Sequence, residues 1–149
     1  MTGVDTDVLI VGAGIAGLIT ALTARGRRVC ILTPDVIAGG GTASECALGG
    51  LAAAVGANDS PALHLEDTMR AGGSLNSVPA AHLACREAPM AVEYLDLLGV
   101  PFARVDGLWS LHREAAHGRA RVLHAGDRTG AAIMRTLRQR IAEAPHVEL

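Results

Sequence analysis

The stretch Asp-Val-Leu-Ile-Val-Gly-Ala-Gly-Ile-Ala-Gly, residues 7–17, decides the fold. Residues 7–11 form a short apolar, β-branched run bounded by glycine, which predicts a buried parallel strand. Helix formers follow over residues 15–24, before a capping glycine at Gly26, and residues 28–32 read as a second buried strand. Strand, glycine turn, helix and strand make a βαβ unit, so the sequence predicts an α/β fold with a Rossmann-like parallel sheet.

The glycine turn has the G-x-G-x-x-G spacing of a dinucleotide site, with a purely structural turn as the alternative. Gly12 permits the tight turn, Gly14 lets backbone amides approach a pyrophosphate, and Gly17 allows the helix to pack against the strand. Thr33 occupies the position where an acidic residue commonly binds the ribose, and Asp35 lies two residues further on. This departure disfavours ordinary NAD binding.

Composition excludes several classes of protein. A chain of 149 residues with 50% hydrophobic residues predicts one folded domain rather than disorder. A net charge of −2 and only three aromatic residues argue against nucleic acid and an anionic membrane as partners. Three cysteines without C-x-x-C spacing suggest neither disulfides nor zinc, and no apolar run is long enough to span a membrane. We therefore expect a cytoplasmic chain without a metal site.

Small residues dominate a long loop over 38–56, and the rest of the chain alternates helical and extended patterns. Helices are expected at 61–70, 77–98 and 129–144, a hairpin around Asp106-Gly107, and strands at 122–124 and 146–149. Ser60 is expected to cap the first of these helices, with Pro61 as its first residue. Pro89 is expected to split the second helix, and Gly99 to cap it. Because the sequence stops as a strand begins, we expect an incomplete sheet and the beginning of a longer protein.

Several motifs occur together in the order of one family. They are Gly12 to Gly17, the loop Gly39-Gly40-Gly41-Thr42-Ala43-Ser44-Glu45-Cys46-Ala47-Leu48-Gly49-Gly50, Leu98-Gly99-Val100-Pro101-Phe102, and Arg113-Glu114-Ala115-Ala116-His117. The chain resembles the L-aspartate oxidase family and, more distantly, the flavoprotein subunits of succinate dehydrogenase and fumarate reductase. The resemblance covers residues 1–149, as the N-terminal part of an FAD-binding domain, without the family's capping and C-terminal helical domains.

The resemblance implies FAD as the cofactor, with its pyrophosphate at the glycine turn and the 42–50 loop beside the flavin. The expected cofactor-binding residues are Gly12, Ala13, Gly14, Ile15, Ala16, Gly17, Thr33, Thr42, Ala43, Ser44, Glu45, Cys46, Ala47, Leu48, Gly49 and Gly50. Leu48 stands where the family usually has glutamine, and Cys46 where it often has an aromatic residue. Cys46 is either a redox-active thiol beside the flavin or a small buried residue that fills space.

The resemblance also gives Glu114 the role of binding substrate, since its carboxylate suits the ammonium of an α-amino acid; otherwise Glu114 is a solvated charge. His117 and His124 either line the same cleft or are structural. His64, Glu66 and Asp67 read as the polar face of a helix. No residue of the chain is assigned a catalytic role.

The implied reaction is the FAD-dependent oxidation of L-aspartate to iminoaspartate in de novo NAD biosynthesis, with oxygen or fumarate as acceptor. The implied partner is the quinolinate synthase that consumes the product. The chain by itself is expected to be inactive. The alternatives are a flavoprotein of the succinate dehydrogenase and fumarate reductase type, and a truncated, non-catalytic nucleotide-binding module.

Overall fold

The structure, a computed structural model, describes residues 5–34 and 42–149. In chain order its elements are β1 (Val8–Val11), α1 (Ile15–Thr23), β2 (Val29–Leu32), α2 (Ala43–Cys46), β3 (Leu51–Ala52), α3 (Pro61–Ala71), α4 (Val78–Leu98), β4 (Arg104–Val105), β5 (Leu108–Trp109), β6 (Leu111–His112), β7 (Val122–Leu123), α5 (Thr129–Ala142) and β8 (Val147–Glu148). They belong to two compact units, Met1–Leu48 with Gly130–Leu149, and Gly49–Thr129.

The first unit contains a parallel sheet of strand order β1-β2-β8. Val11 is level with Leu32 in the first pair of strands, and Val29 is level with Val147 in the second. This sheet confirms the α/β prediction, and the strand expected near residue 147 pairs with β2. Because side chains alternate along a strand, Ile31 is 2% exposed on one face while Val11 is 78% exposed on the other.

Helices of the first unit bury one apolar stripe each. In α1 the buried residues include Leu18 and Leu22, and in α5 they include Ile133, Leu137 and Ile141, all at helical spacing. The first helix ends at Thr23 with Ala24 as its C-cap. The prediction of Gly26 as the cap is wrong, because the last helical hydrogen bond closes at Ala24 and Gly26 takes its positive φ in the turn beyond it.

The second unit combines an antiparallel sheet of order β3-β7-β6, the hairpin β4-β5 and the helices α3 and α4, which pack on each other. Asp106 and Gly107 have φ of 51° and 80° and join the two hairpin strands. Two successive positive φ values are typical of the type I′ turn that suits the twist of a hairpin. The hairpin predicted from these two residues is therefore confirmed.

The long helix α4 runs through Pro89 without a break, so the predicted split is wrong. A proline inside a helix costs about 3 kcal/mol. Cys85, Val92 and Leu95 are buried on both sides of Pro89, and full burial of each large apolar side chain contributes about 1.5–3 kcal/mol. Packing thus outweighs the proline, and α4 ends where predicted, at Gly99 with φ of 99°.

The predicted cap of α3 is confirmed. The hydroxyl of Ser60 accepts a hydrogen bond from the amide of Leu63, and Pro61 is the first helical residue. Across the part of the chain that the structure describes, no helix is long and apolar enough to cross a membrane.

Candidate cofactor and substrate sites

The glycine turn joins the end of β1 to the start of α1. Gly12 has φ of 105°, which side chains disfavour, and its amide donates to the Leu32 carbonyl at 2.8 Å. A Cβ on Gly17 would overlap the carbonyl oxygen of Gly12. Only glycine therefore lets the first turn of α1 lie this close to the end of β1.

The start of α1 is shaped to receive an anion. Gly14 is the N-cap, has extended backbone and provides no side-chain cap, and the first turn contains no acidic residue. Free amides and the positive end of the helix dipole favour a phosphate at such a position. The glycine turn therefore fits a dinucleotide pyrophosphate, and Ala13, which is buried, anchors it to the core.

The segment after residue 41 contributes a polar side chain to this turn. Thr42 caps the short helix α2 by accepting a hydrogen bond from the amide of Glu45 at 3.2 Å. The hydroxyl of Ser44 accepts a hydrogen bond from the amide of Ile15 at 3.3 Å. Ser44 is thus brought against the start of α1, and its contact with the cofactor stays a prediction.

The residues that follow Ser44 reach solvent. Cys46, Ala47, Leu48 and Gly49 are exposed, as is Ala43 at the start of α2. The interpretation of Cys46 as a buried space-filling residue is therefore wrong, because its helix turns that side chain outward. Whether these residues contact a flavin stays a prediction.

Gly50 has a structural role in the second unit. A Cβ there would overlap the side chain of Val122 and the carbonyl oxygen of Leu123, so glycine permits the approach of this segment to β7.

Thr33 follows β2 directly and is half-buried, at the same sheet edge as Gly12. Its role at the ribose stays a prediction, and Asp35 and Gly39-Gly40-Gly41 lie outside the described residues.

Glu114 in the second unit has an accessible carboxylate beside a histidine. Its side chain is 51% exposed, and Oε1 lies 3.6 Å from Nε2 of His124. The rings of His124 and His112 are 4.6 Å apart, centroid to centroid. The Nε2 atom of His124 is buried and has no hydrogen-bond partner among the described residues. Glu114 therefore presents its carboxylate to solvent, where it can bind a cation, and the ring of His124 lies next to it.

A second group of charges in the same unit is fully buried. The Arg121 side chain is 0% exposed and makes a bidentate ion pair with Asp59, with N–O distances of 2.7 and 2.8 Å. Its third nitrogen binds Asp67 at 2.8 Å. The same carboxylate oxygen of Asp67 accepts a hydrogen bond from the amide of Gly118 at 2.6 Å. We call Asp59, Asp67 and Arg121 the buried charge cluster.

Two histidines border the buried charge cluster. Nδ1 of His117 lies 3.4 Å from Arg121, and its ring centroid is 5.8 Å from that of His64. His64 is buried, and its Nδ1 has no hydrogen-bond partner in the described part of the chain. His117 therefore contacts the buried charge cluster, whereas Glu114 contacts His124.

The environment shifts the pKa of three of these groups. The hydrogen bond from Gly118 lowers the pKa of Asp67, against its burial and together with Arg121. Burial acts to lower the pKa of Arg121, but its bonds to Asp59 and Asp67 outweigh burial and raise it. Burial, and then the charge of Arg121, lowers the pKa of His64. These shifts favour the charged forms of Asp67 and Arg121 and the neutral form of His64.

The polar-face interpretation of α3 is wrong for two of its three residues. His64 and Asp67 are buried, and only Glu66 faces solvent. Their spacing of three residues, which places them on one helix face, was the available signal. Arg121 gave no signal, because nothing near it in sequence distinguishes it from a surface arginine.

The chain is similar in sequence to a known domain family and to curated proteins. Residues 7–149 match the family described as "FAD binding domain". The chain is 45% identical over 144 residues to an L-aspartate oxidase of Nostoc sp., covering 96% of this chain and 25% of that protein. It is 47% identical over 131 residues to an L-aspartate oxidase of Mesorhizobium japonicum, covering 87% and 25%. The chain thus spans about a quarter of the length of these curated relatives.

Two solved structures share the fold of this chain. An E. coli quinol fumarate reductase chain superposes with a TM-score of 0.89 at 28% identity, covering 99% of this chain and 26% of the other. Mycobacterium smegmatis Sdh1, in complex with UQ1, superposes with a TM-score of 0.83 at 40% identity, covering 93% and 24%. This chain is therefore similar in fold to about a quarter of each of two much longer chains.

Replacing Gly17 by alanine tests the close approach in the glycine turn. We expect Gly17→Ala to lower the free energy of unfolding by about 1–3 kcal/mol or more, because the new methyl meets rigid backbone. Urea unfolding followed by circular dichroism measures the change. Gly49→Ala is the control, since its methyl would meet open space, and equal losses for both variants would contradict the prediction.

Replacing Arg121 by methionine tests the buried charge cluster. Arg121→Met leaves the buried carboxylate of Asp59 without its cation and leaves Asp67 with Arg70 as its arginine partner, so we expect a loss of about 3–5 kcal/mol in the free energy of unfolding. Arg119→Met is the matched control, because Arg119 is exposed and makes one bond to the carbonyl of Asn58. A loss of similar size in both variants would show that burial of the guanidinium is unimportant.

Acid should weaken the same cluster through Asp67. Since folding lowers the pKa of Asp67, its charge stabilises the fold above the unfolded value of about 4, and this contribution is lost as pH falls through the lower folded value. We therefore expect the stability difference between wild type and Asp67→Asn to be largest above about pH 4 and to shrink below it. Unfolding curves between pH 7 and the acid range measure this, with exposed Asp127→Asn showing no such trend.

Proposed function

The chain belongs to the FAD binding domain family, and from this premise we propose that it is the FAD-binding part of an L-aspartate oxidase. The proposed reaction is the oxidation of L-aspartate to iminoaspartate in the first steps of NAD biosynthesis. The identity of 45% to a curated L-aspartate oxidase over 96% of the chain supports this assignment.

The residues present fit FAD. The close contact of Gly12 with Gly17, the start of α1, where the N-cap residue Gly14 has no side chain, and the hydroxyl of Ser44 together form a site of amides and one hydroxyl that fits a pyrophosphate. When bound, FAD supplies the acceptor for a hydride removed from the substrate α-carbon. The chain's own contribution at this end is to hold and orient the cofactor.

The observation that carries the substrate assignment is the exposed carboxylate of Glu114 beside His124. A carboxylate in this place binds the α-ammonium of aspartate, which succinate and fumarate lack. We propose that the ring of His124, whose Nε2 lies 3.6 Å from Oε1 of Glu114, helps to position this carboxylate. Glu114 then selects the amino acid over the plain dicarboxylate.

The wider setting follows from the same assignment. We propose a cytoplasmic enzyme that passes electrons to oxygen or fumarate and whose product is consumed by quinolinate synthase. Because the chain accounts for about a quarter of the relatives' length, we propose that it does not turn over aspartate by itself.

A flavoprotein of the succinate dehydrogenase and fumarate reductase type is the second candidate. The TM-score of 0.89 to a quinol fumarate reductase favours it, since the fold is shared almost completely. Its substrates carry two carboxylates and no ammonium, and Glu114 would repel them. The charge of Glu114 therefore favours the oxidase.

A chimera tests the proposed substrate. This chain would replace the matching quarter of the Nostoc sp. L-aspartate oxidase, and flavin bleaching by L-aspartate and by succinate would be compared. We expect aspartate alone to reduce the flavin, and Glu114→Gln to raise the KM for aspartate roughly tenfold or more, because a charge-assisted bond to the ammonium is lost.

The control for this chimera is Glu66→Gln, which removes an exposed carboxylate from α3. It should leave the KM for aspartate unchanged. A chimera reduced by succinate and not by aspartate would contradict the proposed function and support the second candidate.

A further inference from the structure

Glu45 and Arg138 bind each other across 93 residues of sequence within the first unit. Two guanidinium nitrogens of Arg138 contact the two carboxylate oxygens of Glu45, at 3.2 and 2.9 Å. The side chains are only 19% and 20% exposed. A bidentate pair that is largely withdrawn from water fixes the orientation of both partners, unlike a surface ion pair.

Glu45 lies on α2, which cannot maintain its own position. A helix of four residues is far below the length at which a helix is stable in isolation. Its place must therefore be set by tertiary contacts, and α5 supplies several of them.

The helix α5 contacts the α2 segment at two points. Near the start of α5, the amide of Gly130 donates to the carbonyl of Ala47 at 3.0 Å, and a Cβ on Gly130 would overlap the carbonyl oxygen of Ser44. Eight residues later, about 12 Å further along the helix axis, Arg138 holds the side chain of Glu45. Two separated contacts fix both the position and the rotation of α2.

The rotation of α2 decides where the hydroxyl of Ser44 lies. Ser44 directly precedes Glu45. Its hydroxyl accepts a hydrogen bond from the amide of Ile15, the first residue of α1. The N-cap residue Gly14 provides no side chain for this purpose, so Ser44 supplies from a distant segment the polar contact that a capping residue normally gives.

We propose that Glu45 and Arg138 are positioning residues for FAD binding. Their ion pair holds α2 so that the hydroxyl of Ser44 stays against the first amide of α1, where it accepts the Ile15 amide and can donate its own hydrogen to the pyrophosphate, and the pair thereby sets the affinity of the glycine turn for that group. The proposal rests on the FAD site of the proposed function and is independent of the substrate. Neither side chain needs to touch the cofactor for this effect.

The test compares three variants of the 149-residue chain with wild type. Glu45→Gln and Arg138→Gln each break the ion pair, and the double variant Glu45→Arg with Arg138→Glu restores it in the opposite direction. Arg135→Gln is the matched control, because Arg135 lies on the same helix and is exposed. Flavin absorbance and fluorescence during titration give the Kd for FAD, and hydrogen exchange followed by NMR gives the protection of the Ile15 amide.

We expect each single variant to raise the Kd for FAD about tenfold and to speed exchange of the Ile15 amide by a similar factor. The charge-swapped variant should recover most of the affinity for FAD and most of the protection of the Ile15 amide. Arg135→Gln should leave the Kd for FAD and the exchange of the Ile15 amide unchanged. The melting temperature, measured in parallel, separates this local effect from a general loss of stability.

Two results would overturn the proposal, and they differ in what they mean. Unchanged protection of the Ile15 amide and unchanged FAD affinity in the single variants would show that the pair only stabilises the fold. A folded wild-type chain that retains no flavin would overturn the cofactor site itself, while the exchange of Ile15 would still report whether the pair positions Ser44.

Discussion

The contact between the first turn of α1 and the end of β1 is the constraint on which the first unit depends. Because the carbonyl of Gly12 occupies the space where a Cβ of Gly17 would lie, strand and helix meet without any intervening side chain. That approach directs the start of α1, with its free amides and positive dipole end, toward the edge of the sheet. The same edge carries Thr33 after β2, so Thr33 and the glycine turn, both proposed to bind the cofactor, lie where the parallel strands end.

Local contacts do not complete this site. The segment of α2 is too short to hold its own place, and it is Ser44, Glu45 and the backbone of Ala47 that connect it to α1 and α5. The helix α5 thereby has two roles, since its apolar stripe contributes to the core while Gly130 and Arg138 hold α2. A cofactor site of this kind is built from three separate segments, and its geometry is determined by packing.

The second unit is organised around charge rather than around apolar side chains alone. Arg121 is buried with two carboxylates, and one of them also binds the amide of Gly118, in the segment that carries Glu114. Buried ion pairs contribute little net stability but are costly to break, so such a cluster favours one arrangement of its segments over others. The segment that carries the exposed Glu114 is thus tied to the buried charge cluster through the amide of Gly118.

The sequence by itself determined the βαβ unit, the roles of Gly12 and Gly17, the hairpin at Asp106-Gly107 and the ends of α3 and α4 at Ser60 and Gly99. Each of these follows from preferences that act within a few residues, namely side-chain periodicity, positive φ and end capping. Only the tertiary structure decided that α4 continues through Pro89, that Arg121 is buried, and that Glu45 meets Arg138. Those outcomes depend on segments dozens of residues apart, and any arginine or acidic residue has many possible partners until packing selects one.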